Sequence, residues 1–218
     1  KYDLTINQIS SFCINFNPNQ NLSLKLLTVL KNPLILKKLN ILNKSKYSKT
    51  IESLKYFGLK DEKKVFCYDN HHCHLLYSYY TSNFDKALVV SIDGFGDQKS
   101  SLISYFDGKK FQTLQKVYFP HSLGIFYQAF TQFLGFKNYG DEYKVMGMSA
   151  YGKKYIEDLD KVIAFDDKNL FKLNLKFFSH HKNNNEQTNI NSQINYTDLY
   201  SKYFIEVFSK YSKFDLAY

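Results

Sequence analysis

The sequence has no arginine and no tryptophan, and its 218 residues include only three cysteines, three prolines and two methionines. Arginine is the side chain that reads guanine and phosphate groups bidentately, so its absence argues against a dedicated nucleic-acid reader, although lysines bind a phosphate backbone weakly. The formal net charge of +9 therefore comes wholly from lysine. Because these lysines are dispersed among acidic residues, they are typical of a solvated surface, and we expect no specific nucleic-acid partner.

The few cysteines and the absence of long apolar runs restrict where the protein is expected to work. Cys13, Cys67 and Cys73 are odd in number and widely spaced, which predicts free thiols in a reducing compartment rather than a disulfide framework. No apolar run approaches the ~20 residues that a membrane-spanning helix needs, and the N-terminal residues carry no signal-peptide pattern. We therefore expect a cytoplasmic protein that does not act in a membrane.

The local sequence pattern changes once along the chain. Residues 1–63 are rich in lysine and asparagine, with helical spacing at 22–30 and 47–57, and we assign them to a helical part of a first lobe. From 64 to 218 short strands and helices alternate, and we assign these residues to a second domain that contains the candidate metal and phosphate motifs. Strands are predicted at 65–68, 87–92, 101–106, 111–119 and 170–178, a helix at 122–135, and a surface loop at 183–193.

Three of the six histidines lie within the segment Asp69-Asn70-His71-His72-Cys73-His74, which follows a predicted strand and opens a predicted helix. Residues three or four apart on a helix share a face, so His71 with His74, or Asn70 with His74, can converge on one ion. A helix N-terminus also disfavours protonated imidazole and keeps these side chains able to ligate. The alternative is that the histidines pack against neighbouring tyrosines, and the density of the cluster favours a metal site.

The second motif, Asp93-Gly94-Phe95-Gly96-Asp97, lies where a predicted strand ends. An aspartate in this position can ligate a cation, and the glycines allow backbone amides to face a phosphate. This is the layout of the first phosphate loop in actin-like ATPases. Taken alone the motif fits an ordinary turn equally well. Its position nineteen residues after His74 favours a ligand site.

Two further blocks carry single residues with candidate chemistry. The block 118–124 contains His121, which is either a proton carrier or a loop side chain beside a helix cap. The block 140–152 contains Glu142, a candidate base, and Lys144, a candidate phosphate ligand. The two side chains can equally pair with each other on the surface. The residues by themselves do not separate these alternatives.

In this order the blocks resemble the O-carbamoyltransferase family that includes nodulation protein U and the enzymes that carbamoylate antibiotics. Family members carry His-His-x-x-His, Phe-Asp-x-Ala, Asp-Gly-x-Gly-Glu/Asp, Pro-His-Ser-Leu-Gly and Glu-Tyr-Lys-Val-Met-Gly-Leu-Ala-x-Tyr-Gly. Any one block is modestly specific, and five in the same order are strongly so. The counterparts in this chain are residues 70–74, 84–87, 93–97, 120–124 and 142–152.

The resemblance implies an α/β fold of the actin-like ATPase type, related to threonylcarbamoyl transferases, with mixed sheets flanked by helices and a bound Fe²⁺ or Zn²⁺ near a nucleotide. It also implies carbamoyl transfer to a hydroxyl of a small molecule or sugar. The donor would be carbamoyl-adenylate, made from carbamoyl phosphate and ATP by a second domain that this chain lacks. We therefore expect a piece of a longer protein, incomplete at both ends, that does not turn over alone.

The resemblance also implies roles for individual residues, with the metal held by Asn70, His74 and Asp93. Asparagine replaces the family's histidine at position 70, so either Asn70 ligates through its amide oxygen or His71 takes over. An amide oxygen is a poorer partner than imidazole for iron or zinc. The implied nucleotide-binding residues are Gly94, Gly96, Asp97, Lys144 and Gly147, and the candidates for the base that deprotonates the acceptor are His71, His72, His121 and Glu142.

Two other functions compete with carbamoyl transfer to a small molecule. A threonylcarbamoyl transferase acting on transfer RNA shares the implied fold and suits a basic surface, although the blocks at 120–124 and 142–152 point away from it. A nucleotide- or metal-binding module without catalysis is motivated by Asn70 and by the segments of the family that this chain lacks.

Overall fold

The computed structural model describes residues 5–31, 36–138, 140–152, 157–182, 188–190, 193–195 and 198–211. It has a mixed α/β fold, as predicted. The helices are α1 (Leu22–Lys31), α2 (Leu36–Tyr56), α3 (Asn70–Tyr80), α4 (Leu123–Phe133), α5 (Glu142–Met148) and α6 (Lys202–Phe208). The strands are β1 (Phe12–Ile14), β2 (Val65–Cys67), β3 (Ala87–Gly96), β4 (Lys99–Phe106), β5 (Phe111–Tyr118), β6 (Ile163–Asp166), β7 (Leu170–Leu173), β8 (Thr188–Ile190) and β9 (Gln193–Asn195).

Within the described ranges the strands form small sheets. β1 and β2 are parallel, with Cys13 opposite Phe66. β3, β4 and β5 are hydrogen-bonded in that order, joined by short turns. β6 and β7 are antiparallel, with Phe165 opposite Phe171, and β8 pairs antiparallel with β9. None of the helices in the described part of the chain has the length and apolar character needed to cross a membrane.

The chain divides into two compact units. The first unit comprises residues 1–91, 96–99 and 104–112, and the second comprises 92–95, 100–103 and 113–218. In the first unit Leu75 is fully buried, and the ring of Phe106 lies 4.0 Å from that of Tyr79 and 4.7 Å from that of Phe111. The domain boundary expected between residues 63 and 64 stays a prediction.

The core of the second unit is built largely from phenylalanine. Phe130 on α4 is buried, and its ring lies 4.7 Å from that of Phe204 and 5.1 Å from that of Phe208, both on α6. Such aromatic pairs contribute about 0.5–1.5 kcal/mol each beyond the area they bury. The predicted apolar stripe of this helix therefore faces the core, and partly buried Phe126 and Phe133 pack against it.

Local signals correctly predicted both ends of α4 and the C-terminal end of α2, whereas α2 begins at Leu36 and not at the predicted residue 47. Ser122 is the N-cap of α4, and its Oγ accepts the N–H of Ile125 at 3.1 Å. Gly135 follows α4 with φ +101°, and Gly58 follows α2 with φ +103°. Side chains disfavour that left-handed conformation, which is why glycine stops both helices.

Some predicted elements were wrong. The strand expected at 170–178 ends at Leu173, because Asn174 caps a short 3-10 helix by accepting the N–H of Lys176. The loop expected at 183–193 contains β8 and the first residue of β9, and its residues 183–187 and 191–192 lie outside the described ranges. The sequence patterns also missed β1 and α5.

Candidate functional site

In the first unit α3 begins against two carboxylates. Asp69, its N-cap residue, accepts the N–H of His72 at 2.9 Å, and Asp97 accepts the N–H of Asn70 at 3.0 Å. Amides in the first turn of a helix have no partner inside the helix, and a negative charge there is favoured by the helix dipole. The last residue of the aspartate motif therefore anchors the start of the histidine motif.

Asp97 and Gln98 form the two-residue turn between β3 and β4. Both have positive φ, +52° and +72°, as a type I′ turn requires, although glycine or asparagine is usual there. The Asp97 carboxylate also accepts the N–H of Asn17, at 3.1 and 3.2 Å, and its carbonyl accepts Nδ2 of Asn21 at 2.7 Å. These contacts hold the strained turn. The carboxylate predicted to contact a nucleotide is thus engaged with backbone donors of its own unit.

Sequence reasoning missed Lys99, which forms a buried ion pair with Asp69; their side chains are 6% and 13% exposed. Gln20 donates to the same carboxylate oxygen at 2.8 Å. Burial alone would raise the pKa of Asp69, but hydrogen bonds from Lys99 and from the His72 N–H bring that pKa below its ordinary value. Asp69 therefore carries a charge at neutral pH. A lysine two residues after a motif gives no local signal that it is buried.

His71 is completely buried and joins α3 to β3 and β4. Its Nδ1 lies 2.8 Å from Oγ of Ser91, and its Nε2 lies 3.0 Å from the carbonyl oxygen of Lys99. Only a donor can face a carbonyl, so the neutral ring carries its proton on Nε2 and accepts the Ser91 hydroxyl at Nδ1. His71 would have to lose one of these bonds before it could bind an ion or take a proton.

The other two histidines of the cluster have different surroundings. The ring of His72 lies 5.5 Å from that of Phe111 in an edge-to-face arrangement, which is the packing alternative considered from the sequence. His74 is exposed, with its ring centroid 6.3 Å from that of His71. His71 therefore lies in the buried interior, His72 packs against an aromatic ring, and His74 faces solvent.

Asn70 fits against a glycine of the aspartate motif. Its Nδ2 donates to the carbonyl of Asn15 at 3.2 Å, while its Oδ1 is buried and has no hydrogen-bond partner among the described residues. A Cβ on Gly96 would lie 2.0 Å from that oxygen. Glycine at position 96 therefore makes room for the Asn70 side chain.

A metal was expected on Asn70, His74 and Asp93, and the donor chemistry does not fit iron or zinc well. In the part of the chain that the structure describes, no group of three or more His, Cys, Asp or Glu side chains is placed to hold a metal ion. The one buried oxygen that lacks a partner at α3, Oδ1 of Asn70, is a neutral, hard donor. Zinc usually takes three or four imidazole, thiolate or carboxylate ligands. The Fe²⁺ or Zn²⁺ stays a prediction.

In the second unit Ser122 and Gly124, at the start of α4, pack closely against the Asp93-Gly94 segment. The Ser122 hydroxyl lies 3.0 Å from the carbonyl oxygen of Asp93 and 2.7 Å from that of Gly94. A Cβ on Gly124 would lie 2.7 Å from the Gly94 nitrogen and 2.9 Å from the Asp93 carbonyl carbon. The serine and glycine of the 120–124 block thus fix the aspartate turn. The Gly94 N–H, predicted to face a phosphate, donates to Asp93 Oδ1 at 2.6 Å.

Gly124→Ala is expected to destabilise the protein by about 1–3 kcal/mol, because the added methyl meets backbone that cannot move aside easily. Urea unfolding followed by circular dichroism measures this change. Gly147→Ala is the matched control: Gly147 lies in α5 with open space around it, so alanine there is expected to be neutral or to stabilise by up to about 1 kcal/mol. Equal unfolding midpoints for the two variants would show that the close contact between Gly124 and the Asp93-Gly94 backbone does not restrict position 124 to glycine.

His121, the second residue of the same block, is half-buried. Its Nδ1 accepts the N–H of Leu173 at 3.1 Å, and its carbonyl accepts the Ser100 hydroxyl at 2.6 Å. Burial, and secondarily the charge of Lys172, lowers the pKa of His121. The neutral ring therefore holds its proton on Nε2 and offers an N–H donor rather than a free lone pair.

Sequence reasoning also missed His180, which is 6% exposed. Its Nε2 donates to the carbonyl of Pro120 at 2.8 Å, and its buried Nδ1 has no hydrogen-bond partner among the described residues. The ring lies 6.2 Å from that of Phe95 and 6.1 Å from that of Phe119. Burial lowers the pKa of His180 to about 4; the Pro120 carbonyl opposes this shift, and the neighbouring histidines add to it.

Glu142 and Lys144 do not pair with each other in the structure. Lys144 instead forms an ion pair with Asp141, with Nζ 2.7 Å from Oδ1, and this hydrogen bond lowers the pKa of Asp141. Nζ of Lys144 also lies 5.6 Å from the centre of the Phe136 ring. Glu142 is the first residue of α5, where a carboxylate complements the helix dipole.

Comparison with known proteins gives one matching family and several relatives. The family model described as carbamoyltransferase N-terminus matches residues 19–213. The uncharacterized protein sll1178 of Synechocystis is 33% identical over 123 residues, which are 56% of this chain and 20% of that protein. Nodulation protein NolNO of Sinorhizobium fredii is 33% identical over 97 residues, 44% of this chain and 14% of that protein. Nodulation protein NolO of Bradyrhizobium diazoefficiens is 42% identical over 86 residues, 38% of this chain and 15% of that protein. The chain spans a fifth or less of the length of these relatives.

Proposed function

The chain belongs to the carbamoyltransferase family, through its N-terminal domain, and on that premise we propose that it takes part in transferring a carbamoyl group to a hydroxyl of a small molecule or sugar. The observation that carries this proposal is the family match over residues 19–213. We also propose that the two units belong to an actin-like fold and that the protein is cytoplasmic.

The proposed donor is carbamoyl-adenylate, made from carbamoyl phosphate and ATP by a further domain of the full-length protein. The acceptor oxygen bonds to the carbamoyl carbon, the bond from that carbon to the phosphate oxygen breaks, and AMP leaves with the electron pair. The acceptor proton passes to a base.

The contacts of the candidate residues favour some roles over others. His71 uses both ring nitrogens and His121 uses its Nδ1 within the protein, so neither offers a free lone pair as a base without rearrangement. We therefore assign the base to His72 or Glu142. His121, with an N–H at Nε2, suits hydrogen-bond donation to developing negative charge.

The candidate phosphate contacts form a second group. Lys144 is one-third exposed and pairs with Asp141 on the surface, so its ammonium can exchange that partner for a phosphate. Gly147 in α5 has open space beside it. Gly94, Gly96 and Asp97 already contact other residues within their own units. We propose that they shape the loop around the nucleotide.

The full-length gene product should make a carbamoylated compound, detectable by mass spectrometry, when it is given carbamoyl phosphate, ATP and a panel of sugars and alcohols. Asp93→Asn is expected to abolish the product, because a neutral amide replaces the carboxylate at the aspartate turn. Asp167→Asn changes an exposed aspartate in the β6–β7 turn and is expected to leave the yield unchanged.

A full-length protein that hydrolyses ATP with carbamoyl phosphate but carbamoylates none of these acceptors would count against the proposal. Modification of transfer RNA under the same conditions would favour the threonylcarbamoyl-transferase alternative. Equal yields from the Asp93 and Asp167 variants would remove Asp93 from the proposed site.

A further inference from the structure

A cavity in the first unit lies beside the motif blocks but includes none of their residues. Its volume is about 540 Å³, within the range of roughly 300–1,000 Å³ that small-molecule sites occupy. It lies where the segment after β1, the middle of α2 and the end of β2 meet. The described residues that line it are Asn17, Pro18, Asn19, Tyr47, Ser48 and Cys67.

The lining residues suit an uncharged ligand with many hydroxyl groups. Among the described residues of the wall none is charged, and most carry an amide or a hydroxyl. A ligand hydroxyl both donates and accepts, so it pairs with such groups, whereas a phosphate would require cations. Pro18 and the Tyr47 ring offer apolar faces for the C–H side of a sugar ring.

Two lysines near this wall contact other groups. Nζ of Lys25, which is 8% exposed, donates to the carbonyl of Pro18 at 2.8 Å and so supports the loop from behind. Nζ of Lys46 lies 4.7 Å from the centre of the Phe16 ring, and Lys46 lines a neighbouring cavity. The described part of the cavity wall therefore carries no charged side chain, although the chain is basic.

The wall of the cavity is attached directly to both motifs of the first unit. The backbone N–H of Asn17 donates to the Asp97 carboxylate, while its side chain accepts the N–H of Asn19 at 3.0 Å. Its Nδ2 donates to Gln20 at 3.2 Å, and Gln20 donates in turn to Asp69. A ligand in the cavity would lie one residue away from the Asp97 turn.

We propose that this cavity binds the acceptor of the carbamoyl group, and that the acceptor is an uncharged, polyhydroxylated compound of the size of a sugar. The assignment as acceptor site rests on the proposed function. Binding of a sugar in the cavity does not, so the two can be tested separately.

Cys67 provides a reporter, because it lines the cavity and its thiol is accessible only in part. In the Cys13→Ser/Cys73→Ser variant it is the single thiol of the chain. Its alkylation by iodoacetamide should slow about threefold at a methyl glucoside concentration of twice the dissociation constant. Burial, with the charge of Asp97, raises the pKa of this thiol, so the reaction is followed at about pH 8.5.

Two matched controls locate the effect. In Cys67→Ser/Cys73→Ser the single thiol is Cys13, which lines the neighbouring cavity and should not be protected by the sugar. Adding Asn19→Ala and Tyr47→Phe to the reporter variant should abolish the protection of Cys67 without slowing its reaction in buffer. Circular dichroism checks that this variant is folded.

Lack of protection of Cys67 by methyl glucoside, maltose and inositol would overturn the cavity assignment, and stronger protection by glucose 6-phosphate would overturn the uncharged ligand class. Protection of Cys67 without any carbamoylated sugar from the full-length protein would leave the cavity standing and reject carbamoyl transfer. Formation of a carbamoylated sugar without protection of Cys67 would support carbamoyl transfer and reject the cavity assignment.

Discussion

Lys99→Met is expected to lower the free energy of unfolding by about 3–5 kcal/mol, the largest loss of any single substitution proposed for this protein. The ammonium of Lys99 and the carboxylate of Asp69 are almost fully buried against each other. Without Lys99 the Asp69 carboxylate keeps, among the described residues, the hydrogen bonds from Gln20 and from the N–H of His72. Urea unfolding at pH 7, followed by circular dichroism, gives the change.

Two controls separate the buried charge from general effects of the substitution. Lys172→Met removes a lysine that is half-exposed and pairs with Asp166, and it should cost less than about 1 kcal/mol. Asp69→Asn combined with Lys99→Met removes both charges and keeps a side chain that caps α3. This double variant should be more stable than Lys99→Met alone. Equal losses for Lys99→Met and Lys172→Met would show that the buried pair does not stabilise the fold.

The elements that the sequence predicted well are those with local signals. α4 has a serine cap, a regular phenylalanine stripe and a glycine stop, and all three have the expected roles. The β4–β5 hairpin follows from Asp107-Gly108, since Gly108 has φ +95°. In each case a few neighbouring residues determine the backbone conformation.

The residues that were missed depend on distant contacts. Lys99 can be buried because it forms an ion pair with Asp69, thirty residues earlier in the chain. His180 is buried because its Nε2–H meets the Pro120 carbonyl, sixty residues earlier. Lysine and histidine are more often on the surface, and no pattern of neighbouring residues indicates that either is buried.

The histidine motif and the aspartate motif were recognised in the sequence, but residue spacing did not predict the roles of some of their residues. Helical periodicity placed the histidines on one helix, and it did not show that His71 points into the core while His74 is exposed. The glycines of the aspartate motif were expected to expose backbone to phosphate. Gly96 instead makes room for Asn70, and Gly94 lies against Gly124.

We expect the fold to lose stability as the pH falls from about 6.5 to about 4, and His180 to account for about 3 kcal/mol of that loss. The pKa of His180 is about 4 in the folded protein, against an ordinary value of 6.5, because burial disfavours the charged ring. Between those pH values the unfolded chain binds the proton and the folded chain does not. The contribution is therefore complete above pH 6.5 and declines below it.

His180→Gln should remove this part of the pH dependence, since a glutamine amide can donate to the Pro120 carbonyl and does not titrate. The measurement is the free energy of unfolding in urea at pH 7 and at pH 4.5, compared with the parent chain. Burial also lowers the pKa values of His121 and His181, so a smaller loss toward acid pH should persist in His180→Gln. An unchanged difference between the two pH values in His180→Gln would show that the buried ring is not what makes the fold acid-sensitive.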